Sequence, residues 1–355
     1  MEPWFDEKEA KAVYQYFKSG GWITEFKKTK DLEKRISIFT KSKYCTMTTS
    51  GTVSLTLALL ALGLKRDDEI IVPDLTMIAT PNATVLLGVK PVLVDVEPQT
   101  LCIDLVKAQK AITQKTKALI YVPFNGRSGN MLEVVEFCKK NGLFLIEDAA
   151  QALGSYNQGK HLGTFGDLGT LSFSVPKIIS TGQGGAILTN NKILYQRILS
   201  LKDFGRKKGG IDIHDEMGWN FKFTDIQAVI GLEQMKKLRF RIKKKKKIYQ
   251  EYANGLKKLN RVELINTNLK DTCPWFIDIF VDNPDSLAAY LKTKGIESRR
   301  IYPAVHTQKI YKNIFGKKYT IAERYASKGL WLPSSCKLSG INISYIVRAI
   351  TSYYN

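Results

Sequence analysis

The segment Gly169–Asn190, "GTLSFSVPKIISTGQGGAILTN", holds two short apolar, β-branched runs separated by a stretch with one lysine and two glycines, Gly182 and Gly184. The first run (169–175) and the last (185–190) have the length and composition of strands. Pro176 fixes its own φ and disfavours helix at Val175, so the first strand ends there and Lys177 begins the connection. A lysine held at a strand end and partly removed from water has a lowered amine pKa, which makes it a usable nucleophile and Schiff-base former. Taken alone, one lysine among many is better read as surface display. Its neighbours in the fold must decide.

Upstream, four more runs of the same kind follow helix-like segments: "DEIIVPDL" (68–75), "KPVLVDV" (90–96), "KALIYVPF" (117–124) and "LFLIEDAA" (143–150). Two intervening segments read as crossover helices. "SGTVSLTLALLALGL" (50–64) opens on capping residues, and "GNMLEVVEFCKKNG" (129–142) closes on lysines and Gly142. The alternation predicts an α/β domain with a large, mainly parallel sheet covered on both faces. A long helix is expected from Thr224, "TDIQAVIGLEQMKKL", and beyond it "PWFIDIFV", "DSLAAYLKTKG" and "GIESRRIYPAV" read as a smaller α+β unit. The predicted division is a large domain over 1–240 and a small C-terminal domain over 241–355.

The chain has 355 residues, 44% of them hydrophobic, enough for two packed cores. Its net charge of +21 invites a nucleic-acid reading, which requires the charge to be clustered. Basic residues run through the whole sequence. The one dense block, "KKLRFRIKKKKKIYQEY" from Lys236, has Leu238, Ile242, Tyr249 and Tyr252 among its charges and reads as a solvated helix face. Anionic small molecules such as nucleotide-linked substrates, and nucleic acid, remain the other readings. Five cysteines without CxxC spacing and three dispersed histidines (His161, His214, His306) predict neither disulfides nor a metal site. No apolar stretch is long enough to span a bilayer, and the acidic "MEPWFDEKEA" lacks the features of a secretory signal, so a cytoplasmic chain is expected.

In open α/β sheets, ligands bind beyond the carboxyl ends of the strands. Three features fall at such points. "TTSGTVSL" leads into a helix whose free N–H groups at Gly51 and Thr52, with the hydroxyls of Ser50 and Thr52, can hold a phosphate, although by itself the motif is more simply a cap. Glu147 and Asp148 end an apolar strand, where a carboxylate needs a cation or hydrogen-bond donors. Lys177 is followed by "TGQGG". Together these are the groups that pyridoxal phosphate requires: a phosphate cradle, a lysine for its aldehyde and an acid for its ring nitrogen.

Taken in order, "GGWIT", "SGTVSLTLALLALGL", "DEIIVPDLTMIATPNA", "KPVLVDVEP", "IEDAAQALGS", "FGDLGTLSFSVPK", "TGQGGAILTN", "GWNFKFTDIQAVIGLEQ" and "GIESRRIYPAVH" closely resemble the DegT/DnrJ/EryC1/StrS family over most of the chain. These are pyridoxal-phosphate-dependent aminotransferases of nucleotide-linked keto sugars with the aspartate-aminotransferase (fold type I) architecture. The resemblance implies that Lys177 binds the cofactor covalently and moves protons, that Asp148 pairs with the ring nitrogen, and that Gln151 lies beside the ring. It implies a phosphate held by Ser50, Gly51, Thr52 and Ser172, with Asn220 contributed across a homodimer interface. Trp22, Thr24, Arg206 and His306 are implied near the sugar nucleotide, a structural role for His306 being an equal alternative.

The implied reaction takes an amino group from an amino acid, L-glutamate in most of the family, through the pyridoxamine 5′-phosphate form to a keto sugar. The leading expectation is C4 of a 4-keto-6-deoxyhexose, as in perosamine or viosamine for O-antigen and other polysaccharides, with amination at C3 as the alternative. Family members that dehydrate carry histidine at the lysine position, so Lys177 favours the aminotransferase. A protein that has kept the fold to bind nucleic acid is the remaining reading, and the complete cofactor set argues against it.

Three departures from the family pattern stand out. Glu25-Phe26 replaces a Gly-Pro turn, Gln183 replaces an acid, and "FNGRSGNM" replaces a Gly-x-Pro-x-Asp-Met form, leaving Asn125 and Arg127 for an unusual contact.

Overall fold

The central sheet contains β1 (Tyr44–Thr48), β2 (Glu69–Pro73), β3 (Lys90–Val94), β4 (Thr116–Tyr121), β5 (Phe144–Asp148), β8 (Leu168–Ser172) and β9 (Gly185–Thr189), in the order β1-β9-β8-β5-β4-β2-β3. A two-stranded ribbon, β6 (Tyr156–Asn157) with β7 (Lys160–His161), lies outside it. This computed structural model describes residues 4–207, 209–311 and 319–355. Only β9 runs against its neighbours. Six of the seven strands coincide with the six apolar runs of the sequence; β1, "YCTMT", has a threonine at every second or third position and lacks their apolar signature.

Both faces are covered, and β4 shows how. Leu119 and Tyr121 enter a core with residues of α2 (Lys27–Thr40), α6 (Met131–Lys140) and α8 (Asp225–Leu256). Ala118 and Ile120 enter another with residues of α3 (Gly51–Ala61), α4 (Ala79–Val85) and α10 (Thr320–Lys328). The two-residue period of the strand thus sorts its side chains between the layers. The remaining helices of the sheet region are α1 (Glu7–Lys18), α5 (Leu105–Ala111) and α7 (Lys192–Leu201).

A second, antiparallel sheet joins β10 (Ile277–Phe280), β12 (Gly329–Leu332) and β11 (Arg299–Arg300), in that order, with α9 (Pro284–Thr293) and α11 (Gly340–Tyr354) beside it. The 32-residue α8 passes unbroken through residue 240. It gives Ala228 and Leu238 to the core under the large sheet, then Ile248, Tyr252 and Leu256 to the core of the smaller unit.

Here the solvated-face reading of the basic block needs correction. Lys243 and Lys247 are exposed, but Arg241 and Lys245 are buried. The Lys245 ammonium donates to the carbonyls of Trp275 (2.7 Å) and Ser334 (2.6 Å), and Arg241 donates to those of Ile178 (2.9 Å) and Trp4 (2.6 Å). Burying a cation is tolerable only when its N–H groups find such acceptors. The block therefore presents charge to solvent on one side and ties segments together on the other.

The "FNGRSGNM" segment is a second tie. Arg127 makes two parallel bonds to Asp278 on β10 (3.0 and 2.6 Å), with both side chains buried, and also donates to Thr100 O (3.2 Å). Asn125, in the left-handed region at φ 57°, pairs with the backbone of Phe276 in both directions: its Oδ1 accepts from Phe276 N (2.6 Å) and its Nδ2 donates to Phe276 O (2.8 Å). Removing one partner of a buried pair strands the other, so Asp278→Ala is expected to lose about 3–5 kcal/mol in urea unfolding. The double variant Arg127→Met/Asp278→Leu is expected to recover most of that loss.

Candidate active site

Three strand ends converge on one edge of the large sheet. Gly185, at the start of β9, pairs with Thr48 of β1 on one side and Ser172 of β8 on the other. A Cβ there would collide with the Ser50 carbonyl and the Ser54 hydroxyl, so only glycine lets the strands close. Ser50 caps α3, its Oγ accepting from Val53 N (3.2 Å). The N–H groups of Gly51 and Thr52 take no acceptor among the described residues. A Cβ on Gly51 would sit 2.8 Å from the Cβ of Ser172. Ser50, Gly51, Thr52 and Ser172 are therefore neighbours at a helix N-terminus, although 120 residues of chain separate the first three from the last. Such a patch suits a phosphate.

The two carboxylates ending β5 separate by face. Glu147 is fully buried and accepts from the N–H groups of Gly163 (2.6 Å), Phe165 (2.6 Å) and Gly166 (2.8 Å), so it shapes a loop. Asp148 is also buried, with its Oδ2 accepting from Thr80 Oγ1 (2.7 Å) and its Oδ1 from Ala150 N (3.3 Å). Burial pushes the Asp148 pKa up, while the Thr80 bond and the charge of Lys177 oppose that rise.

Lys177 is half-buried, with its N–H bonded to Ser174 O (3.0 Å) in a tight turn. Burial pushes its amine down to about 8, against the opposing pull of the Asp148 carboxylate. The amine lies 3.8 Å from the ring centroid of Trp275. Gln151 accepts from Asn125 N (2.7 Å), so the segment that ties the smaller unit also fixes this side chain. Of the three glycines after Lys177, only Gly182 adopts a left-handed turn, at φ 81°. Gly184 and Gly185 are required by close approach instead. The Gln183 side chain is exposed, and the backbone carbonyl of Gln183 accepts from Thr181 Oγ1 (2.6 Å) and Gln227 Nε2 (2.8 Å).

Residues 3–351 match the model of the DegT/DnrJ/EryC1/StrS aminotransferase family. The chain belongs to this aminotransferase family. It is similar to the GDP-perosamine synthase of Escherichia coli O157:H7, 38% identical over 316 residues that cover 88% of this chain and 86% of that protein. It is also similar to the GDP-perosamine synthase of Vibrio cholerae, 32% identical over 361 residues, covering 100% and 98%. Among solved structures, NtdA of Bacillus subtilis with bound cofactor PMP superimposes with a TM-score of 0.90 at 28% identity, covering 97% of this chain and 82% of that one.

In the aminotransferase the five other sequence-nominated residues make their contacts apart from this cluster. Trp22 is 63% exposed, its indole N–H donating to Thr24 Oγ1, and Thr24 bridges to Thr224. Arg206 is ion-paired with Asp203 (2.6 Å) and Asp212 (2.9 Å). His306 is clamped by Asp74, through its backbone N–H (2.9 Å) and Nδ1 (2.7 Å), and faces Glu323 (3.3 Å). Burial pushes Asp74 up to about 6 despite those bonds. Asn220 is exposed and bridges by backbone to Asp203.

The Glu25 departure has a structural account. Its carboxylate accepts from the buried Lys202 ammonium (3.0 Å) and from Phe223 N (3.0 Å), anchoring the "GGWIT" arm. Sequence reasoning missed Thr80 and Trp275. Thr80 lay within a quoted family segment, whereas nothing local marks Trp275.

Because its amine is held near 8, Lys177 is expected to acylate ahead of the exposed lysines when the cofactor-free aminotransferase is labelled with trace reagent at pH 7.5, read by peptide mass. Asp148 raises the Lys177 pKa, so Asp148→Asn is expected to move the midpoint of that reaction to lower pH.

Proposed function

We propose that this aminotransferase moves an amino group from L-glutamate to C4 of a GDP-linked 4-keto-6-deoxyhexose, giving a perosamine-type product, with pyridoxal 5′-phosphate as cofactor. The observation that carries this reading is one sheet edge that gathers a phosphate patch, a buried acid and a low-pKa lysine. Similarity to two GDP-perosamine synthases along nearly the whole chain supports the nucleotide and the position of amination. The cofactor bound by NtdA supports the coenzyme.

The residues present fit that coenzyme. The unclaimed N–H groups of Gly51 and Thr52 and the hydroxyls of Ser50, Thr52 and Ser172 supply donors for a phosphate dianion, and the α3 dipole favours its charge. Asp148, bonded by Thr80, is the acid that keeps the ring nitrogen protonated. When bound, the coenzyme supplies an aldehyde that exchanges for an amine and a ring that withdraws electrons. Lys177 binds at that aldehyde and moves protons at Nζ, for which a pKa of about 8 leaves both forms populated near neutrality. Gln151 orients the ring. Lysine rather than histidine at position 177 argues against dehydration.

A homodimer completes the site in this reading, with Asn220 of the partner subunit at the phosphate. Exposed Ile213, Met217 and Trp219 beside this chain's Asn220 supply apolar surface for such a contact.

With glutamate and a panel of GDP-, UDP- and dTDP-linked keto sugars, the GDP-4-keto-6-deoxy sugar is expected to give the highest kcat/KM by 2-oxoglutarate release. Preference for a 3-keto sugar would overturn the assignment of position. Borohydride reduction is expected to fix the coenzyme on Lys177 alone, read by peptide mass. Mixing the inactive variants Lys177→Ala and Asn220→Ala is expected to restore about one quarter of wild-type activity, since half of randomly paired dimers then hold one intact site. No recovery on mixing would place Asn220 outside the shared site.

A further inference from the structure

We propose that Trp275 is a positioning residue for Lys177, its indole face being the seat on which the amine rests, with its ammonium form favoured, when the lysine is not joined to the coenzyme. The place of this step in the reaction rests on the aminotransferase reading. The contact itself is a property of this chain.

The distance of 3.8 Å from Nζ to the ring centroid is well inside the range over which an ammonium is attracted to an aromatic face. The indole is itself held on several sides. Its N–H donates to Pro176 O (2.7 Å), the residue before the lysine. The backbone carbonyl of Trp275 accepts from Lys245 Nζ (2.7 Å), and the Trp275 backbone N–H donates to Asn125 O (3.4 Å). The ring packs against Phe276 and, edge to face, against Trp331. A ring so fixed presents its face at a set place beside the lysine.

Among the described residues, one charged group acts directly on the amine. From β5 the Asp148 carboxylate favours the ammonium, and Tyr302, whose hydroxyl burial keeps neutral, faces the same carboxylate from the smaller unit. Lys245 stands behind the indole on its backbone side. Burial favours the free amine, so Asp148 and the indole face together hold the proton against it. The consequence is an amine held in place after release, with more of its ammonium form near neutrality than burial alone would leave. An apolar side chain of similar bulk supplies the packing and none of that preference for charge.

The test reads the pH midpoint of Lys177 acylation by peptide mass in the pyridoxamine-phosphate-loaded enzyme and, as a second arm, in the cofactor-free chain. Trp275→Leu is expected to lower the midpoint by roughly 0.4 to 1.5 pH units, while Trp275→Phe, which keeps a ring face, stays nearer wild type. Because Trp275→Leu can disturb packing, the decisive series replaces tryptophan with its mono- and difluoro analogues, which weaken the ring face with little change of shape. The midpoint is expected to fall stepwise with fluorination. A midpoint unmoved across the fluorinated series, or equal shifts for the Leu and Phe variants, would overturn the proposal. If the chain takes up no coenzyme, the aminotransferase reading fails, and the cofactor-free arm still decides whether the indole holds the lysine.

Discussion

The close approach of β9 to the start of α3 is the constraint on which the rest of the site depends. Gly185 lies against the Ser50 carbonyl and the Ser54 hydroxyl with no room for a side chain. Because β9 also pairs with β8, that single approach sets the helix cap and Ser172 side by side. The antiparallel strand is thus the piece that closes the phosphate patch. Asp148 enters from the next strand along, through the pairing of β5 with β8, and Lys177 from the turn that β8 feeds.

How much of this was legible depended on where the partners lie. Strands covered on both faces must be nearly continuous in apolar residues, so β2, β3, β4, β5, β8 and β9 stood out. β1 did not, because its threonines spend their hydroxyls on neighbours, as Thr46 does on Glu33 and Thr48 on Ser54. Lys177 and Asp148 were readable because strand ends are where α/β sheets do chemistry, and because the family motif runs through both. The split between Glu147 and Asp148 was not, since it turns on three N–H groups of a loop 16 to 19 residues away. Lys245 was misread for a similar reason. Its acceptors are 30 and 89 residues distant, and helical spacing alone showed only a charged block.

The departures from the family pattern have one theme. Glu25 meets a buried lysine, and Asn125 and Arg127 bind the entry to β10. Each supplies a side chain that joins two segments by hydrogen bonds. The Asp74–His306 clamp does the same between the end of β2 and the smaller unit. Gln183 stands apart: its side chain faces solvent, and nothing in the structure explains the change from an acid.

The continuity of α8 through both cores has a mechanical consequence. Its 32 residues form a rod of about 48 Å whose two ends are buried in different hydrophobic clusters. The helix thus links the two cores through continuous backbone hydrogen bonds, and a cut within the rod would sever the residues it gives to one core from those it gives to the other.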